Sequence, residues 1–206
     1  TECDVAVALD GVTLGTTLST TFDTAFTLGA GGAQVAPGAG STLTLASAVA
    51  GAGGLTKTGS SVLALPGGTT FGGELVVRGG TVAMAAEPGE PLVIGEGTFK
   101  YTGGAATFAR GYRLRTSATT QAATITSAAD LTFSGPVTAE SGAFLKLGGG
   151  TFTYAYGGAN ILSAGDNQGT GTTCLNVQPY GDTPTQGYRS YNIFNGKVVL
   201  GADGQS

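Results

Sequence analysis

The 206-residue chain has no histidine and no tryptophan, two cysteines, one methionine, and only 11% charged residues. Without an imidazole, Ser-His-Asp and Cys-His chemistry and ordinary zinc sites are excluded within this chain, because each needs that titrating or ligating ring. Two cysteines, Cys3 and Cys174, cannot define a disulfide framework. A bridge needs Cα atoms within roughly 7 Å, which residues near opposite ends of an elongated stack would not offer. Nine basic and thirteen acidic residues give a net charge of −4. The cations group only at Arg110, Arg113 and Arg115, so the clustered footprint that nucleic acid requires is missing. That triplet is expected to be one strand's solvent face plus a turn. No apolar run approaches the ~18 residues of a membrane helix, so no membrane insertion by this chain is expected. The start, Thr1-Glu2-Cys3-Asp4, has neither the basic onset nor the apolar centre of a secretory signal; a removed signal or a piece of a longer polypeptide is expected.

What is present is glycine, 38 residues of it, with 41% hydrophobic residues. Gly51-Ala52-Gly53-Gly54-Leu55-Thr56-Lys57-Thr58-Gly59 runs on through Val62-Leu63-Ala64-Leu65, Gly72-Gly73 and Gly79-Gly80-Thr81-Val82. Short apolar runs between glycine pairs describe a backbone that turns a corner every few residues. Period-two strands are predicted at 5–9, 22–28, 42–45, 74–77, 81–84, 92–94, 98–101, 112–114, 122–125, 131–133, 143–147, 151–156, 175–177, 191–194 and 197–200. No window sustains a helical apolar stripe, and glycine interrupts nearly every attempt.

The sequence also resembles itself. Residues 95–101 match 148–154 at an offset of 53, and Phe26, Leu43, Val49 and Lys57 match Tyr112, Leu131, Val137 and Lys146 at offsets of 86 to 89. Repetition of short strands signals stacking. A propeller would need hairpin dipeptides, and only Asn195-Gly196 has that form. A parallel β-solenoid fits better: at roughly twenty residues a coil, about nine coils would be made. The expected fold is all-β, with coils over 1–164 and an irregular, turn-rich loop region with terminal strands over 165–206, including a loop or hairpin excursion near Asn195-Gly196.

The run at 51–59, with Val62-Leu63-Ala64-Leu65, Phe71-Gly72-Gly73 and Gly79-Gly80-Thr81-Val82, resembles the autotransporter-associated β-strand repeat. Residues 142–154 look like a decayed second copy. The resemblance implies the right-handed parallel β-helix of large bacterial surface or secreted passenger proteins, and an extracellular or cell-surface location. It brings no catalytic residues.

Candidate sites are few. Glu87, Glu90 and Glu96 lie close in sequence and are the candidates for a glycosidase-type carboxylate pair; sequence proximity is their only support, and a solvated loop accounts for them. Asp166, Asn167 and Asp182 offer hard oxygens without a calcium-loop pattern, so no metal is assigned. No glycine cluster completes a nucleotide-binding motif, so no cofactor is expected. Tyr154, Tyr156, Tyr180, Tyr188 and Tyr191 gather in the last quarter and suit contact with sugar rings or a protein partner. The expected function is a non-enzymatic structural or adhesive element of a bacterial surface, matrix or filament. Its partners would be further copies of itself, a host or matrix surface, or polysaccharide. The alternative is a carbohydrate-active β-helix enzyme, a polysaccharide lyase or glycoside hydrolase.

Overall fold

The computed structural model describes residues 6–115, 122–139 and 144–154, with four short strands at 166–167, 172–175, 192–193 and 197–200. Every described element is a strand and every pairing is parallel. Each strand is bonded to its counterpart one coil away, so the chain winds as a three-faced β-solenoid.

The first coil is β1 (Val7–Leu9), β2 (Val12–Leu14) and β3 (Thr20–Phe22); the second is β4 (Phe26–Leu28), β5 (Ala33–Val35) and β6 (Thr42–Leu45). The third is β7 (Val49–Gly51), β8 (Leu55–Lys57) and β9 (Val62–Ala64), and the fourth β10 (Thr70–Phe71), β11 (Leu75–Val77) and β12 (Thr81–Met84). The fifth has only β13 (Leu92–Ile94) and β14 (Thr98–Tyr101). The sixth is β15 (Ala106–Phe108), β16 (Tyr112–Leu114) and β17 (Ala122–Ser127), the seventh β18 (Leu131–Phe133), β19 (Val137–Ala139) and β20 (Phe144–Gly149). After these come β21 (Thr151–Tyr154), β22 (Asp166–Asn167), β23 (Thr172–Leu175), β24 (Asn192–Ile193) and β25 (Lys197–Leu200).

Faces two (β2 to β19) and three (β3 to β20) are unbroken seven-stranded sheets, making six turns from first rung to last. Face one is interrupted: β1-β4-β7-β10 forms one sheet and β15-β18-β21-β23-β25 another. The gap falls at residues 85–91, where Pro88 and Pro91 cannot donate to a ladder. Coil length tracks this. Register partners on face two, Val12 to Ala33, Ala33 to Leu55 and Leu55 to Leu75, lie 21, 22 and 20 residues apart, but Leu75 and Leu92 only 17.

Alternation within each strand sends one set of side chains inward. Coil by coil, register aligns them into ladders such as Leu43, Leu63, Val82, Phe99, Ile125 and Leu147, all buried. Fully burying one such side chain contributes roughly 1.5–3 kcal/mol, so stability is spread along the stack. Corners hold the glycines because coils touch there through backbone. A Cβ on Gly53 would lie 2.6 Å from the Cα of Gly32 one coil below. At Gly80 (φ 62°) it would lie 2.9 Å from the Lys57 ammonium and in a conformation L side chains avoid.

The predicted strands at 81–84, 92–94, 98–101, 112–114, 131–133 and 197–200 are found with those bounds. One expectation changes. The strands flanking Asn195-Gly196 do not form a hairpin with each other: β24 pairs with β22 and β25 with β23, both in parallel. The matched repeats belong to the stack without lying directly over one another. Residues 98–101 lie on face three and 151–154 on face one, and Phe26-Thr27-Leu28 on face one aligns with Tyr112-Arg113-Leu114 on face two. Both offsets advance a whole number of coils plus one face, so similarity follows the local strand-and-corner grammar and not the axial position.

Candidate functional site

The outward positions of face two run Thr13, Gln34, Thr56, Val76, Val93 and Arg113 from coil to coil. Over the first four coils they edge a shallow, mainly polar groove. Its lining includes the corner glycines Gly11, Gly32 and Gly54, and Glu74 and Arg78 of the fourth coil. The Gln34 amide is held by donating to the Thr58 hydroxyl at 3.0 Å. Above the groove, Glu74 accepts from Arg113 and, at 3.4 Å, from Arg115. Glu74 precedes β11 and the arginines belong to and follow β16, so the ion pairs pass over β13, whose outward Val93 is fully buried. Arginine stems cover apolar surface while the heads stay wet. The triplet is thus the strand face and turn expected of it: Arg113 lies on β16, and Arg110 and Arg115 flank it.

Several of the described acidic residues make contacts between coils. Asp10 accepts the Gly31 N–H at 2.6 Å and Asp130 the Thr151 N–H at 2.9 Å, each bond reaching 21 residues to the next coil. Glu87 accepts the Arg110 N–H at 2.7 Å. Glu90 is buried in the strandless rung, both carboxylate oxygens facing the buried Thr69 hydroxyl at 3.1 and 3.3 Å. Burial pushes its carboxyl above the usual glutamate range, opposed by the Thr69 hydrogen bond, its own backbone amide and the Arg110 charge. Glu90 is therefore enclosed where a solvated loop was expected, and Glu87 is half-buried. Glu96 sits beyond β13, at the next corner.

Lys57, in the glycine-rich run, was not singled out as a site, and its side chain is fully buried. Its register partners are Val35 and Val77, so it occupies an inward ladder position. Its stem fills the core and Nζ donates to the carbonyls of Thr58, Gly59 and Gly79 at 2.5, 3.2 and 3.3 Å. Three donors meet three corner oxygens. Burial lowers the Lys57 pKa below the usual lysine value. Enclosed and fully engaged, it is a cap for the corner and not a base presented to substrate. The signal that could have found it is its phase, two residues after the inward Leu55.

Of the tyrosines chosen from the sequence, Tyr154 ends β21, with its side chain outside the described residues, and Tyr156, Tyr180, Tyr188 and Tyr191 lie wholly outside them. Asp166 and Asn167 form β22, while Asp182 and Cys3 also lie outside. Among the described residues no group of three or more Cys, Asp or Glu side chains is placed to hold a metal ion, and no helix is long and apolar enough to cross a membrane.

Comparison with known proteins gives one informative likeness. The chain is 35% identical over 130 residues to the adhesin BmaC autotransporter of Brucella suis biovar 1 (strain 1330). The match covers 55% of this chain and 4% of that protein, so the chain corresponds to a small part of the relative's length. No family model matches, and no solved structure matches. A parallel solenoid with this likeness fits passenger repeats of the autotransporter type.

Proposed function

We propose that this chain is an extracellular, non-enzymatic segment of an adhesive passenger at a bacterial surface: a stiff β-solenoid that presents its outer faces to a host, matrix or polysaccharide surface. The observation that carries this reading is the likeness to an autotransporter adhesin in a chain folded as a stack of parallel coils, two of whose faces are continuous. The chemistry of the described side chains is consistent with it. Buried Glu90 and Lys57 are committed to coil-to-coil and corner bonds, Asp10, Glu74, Glu87 and Asp130 tie coils together, and the outer face-two groove is a mainly polar surface lined in part by glycines.

The test is gain of adhesion. The 206-residue chain, displayed on a non-adherent bacterium, is expected to raise attachment to cultured epithelial cells or immobilised matrix protein well above a display control carrying an unrelated β-solenoid. Attachment no greater than that control would overturn the adhesive reading. Release of reducing or unsaturated sugar from a panel of polysaccharides would overturn the non-enzymatic one.

A further inference from the structure

Face two is not uniform along its length. The residues entering β2, β5, β8 and β11 stand one above another, and they are Gly11, Gly32, Gly54 and Glu74. Close contact between coils keeps side chains out of this column: a Cβ on Gly32 would lie 2.6 Å from the Gly54 carbonyl oxygen. The column is therefore a trough until, at the fourth coil, a carboxylate occupies it. Beside it stand Thr13, Gln34 and Thr56, and the hollow they share has a volume of about 480 Å³. Glu74 and Arg78 are the charged residues that line it. Glu74 is held by Arg113 and Arg115. Arg78 is exposed, and its guanidinium has no hydrogen-bond or ion-pair partner among the described residues.

We propose that this groove binds one extended acidic polysaccharide lying along the solenoid axis over coils two to four, with a carboxylate or sulfate group on Arg78 and ring hydroxyls on Gln34 and Thr56. The inference rests on the adhesive reading and names the ligand class for one of its surfaces. Rungs repeat about every 4.8 Å, close to the length of one sugar in an extended chain, so successive sugars meet successive coils. The lining offers hydroxyls and an amide but no aromatic side chain. That suits a hydroxyl-rich polymer and lacks the large anchors on which protein partners seat. A peptide strand would need an unpaired sheet edge, whereas along this face the ladder bonds are made between coils. Arg78 sets the charge of the ligand: a guanidinium donates in pairs to the oxygens of an anion, and the lining's own carboxylate is already engaged. Gln34 is ready to contribute, because its amide nitrogen donates to the Thr58 hydroxyl at 3.0 Å. That bond fixes the side chain and leaves its carbonyl oxygen to accept from a sugar hydroxyl.

The test is calorimetric titration of the 206-residue chain with defined polymers. Polygalacturonate and chondroitin sulfate separate a carboxylate from a sulfate ligand, dextran is the neutral comparator, and polyglutamate stands for an acidic peptide. At least one of the two acidic polysaccharides is expected to bind, more weakly as salt is added, and dextran is not. Arg78→Gln should weaken that binding about tenfold and Gln34→Ala about threefold. Lys100→Gln, an exposed position on face three, should leave it unchanged. Both groove positions are exposed, and circular dichroism and melting check that each variant is folded. Any of four results overturns the proposal: no binding to either acidic polysaccharide, polyglutamate bound as tightly, folded groove variants that bind like wild type, or an equal loss in Lys100→Gln. Surface display separates this inference from the reading beneath it. A displayed Arg78→Gln chain that adheres like wild type would overturn the groove and leave the adhesive reading standing. A displayed wild-type chain that does not adhere, while the soluble chain binds the polysaccharide through Arg78, would overturn the adhesive reading and support the groove.

Discussion

The first four coils and the later ones solve the same packing problem with different side chains. In coils one to four the ladders are Leu and Val, and the ring pair there is Phe22–Phe26 at 5.8 Å. From coil five on, the core is a chain of rings: Phe108 packs edge-on against Phe99, Tyr101 and Phe133 at 6.2, 5.3 and 5.6 Å, and Phe133 meets Tyr112 at 5.0 Å and stacks on Phe152 at 6.5 Å. Coil length does not explain the change. Register partners Tyr112 and Val137 are 25 residues apart and Phe99 and Ile125 26, but Ile125 and Leu147 are 22 apart and Leu131 and Phe152 21, as in the first coils. Interiors pack to crystal-like density, so the rings fill space that Leu and Val fill below. Between the regimes sits the 17-residue step with its prolines and buried Glu90. A solenoid therefore tolerates changes in coil length and in the kind of side chain that fills its core.

The comparison can be broken most forcefully at Phe133, which packs against Phe108, Tyr112 and Phe152. Phe133→Ala should cost about 3–5 kcal/mol, and because each coil contacts only its neighbours, hydrogen exchange should speed up in β15–β21 while β4–β9 keep their protection. Uniform loss of protection along the whole rod would mean that the two regions are one cooperative unit. Lys57→Ala comes next. Losing the buried stem and orphaning three corner carbonyls should cost about 2–4 kcal/mol, read as faster exchange around β8, whereas Lys100→Ala, at an exposed position, should stay within about 0.5 kcal/mol. Equal effects of the two substitutions would place Lys57 at the surface.

The smallest effect concerns the boundary itself. Because the folded-state pKa of Glu90 is raised, the stability linked to its proton is present in full below the unfolded value, about 4.3, and is lost as pH rises through the folded value. Glu90→Gln should therefore be more stable than wild type at neutral pH and lose that part of the pH dependence, both read from melting temperature between pH 4 and 7 in a titration around the ordinary carboxylate range. A variant with an unchanged pH profile would show that Glu90 is solvated.

Much of the architecture could be read from residue order. Glycine pairs at 53–54, 72–73 and 79–80 fall at corners, and Thr81-Val82-Ala83-Met84 and Leu131-Thr132-Phe133 were recognisable as strands from alternation alone. The candidate surface was less legible. Arg113 and Arg115 were placed on a strand face and its edge, but their joint hold on Glu74, 41 residues from Arg115, depends on how many residues fill the two coils between them.

By itself the sequence determined that this chain would coil: short apolar strands hinged on glycine leave stacked parallel rungs as the way to bond the backbone and bury the apolar residues together. Only the tertiary structure decided that Lys57 points to the axis with Val35 and Val77, that Glu90 is enclosed while Glu87 is not, and that matching segments lie on neighbouring faces. Alternation states which residues share a side of a strand. Which side is the inside, and which coil supplies the neighbour, is set by the summed length of strands and corners around each turn, and no local stretch of residues contains that quantity.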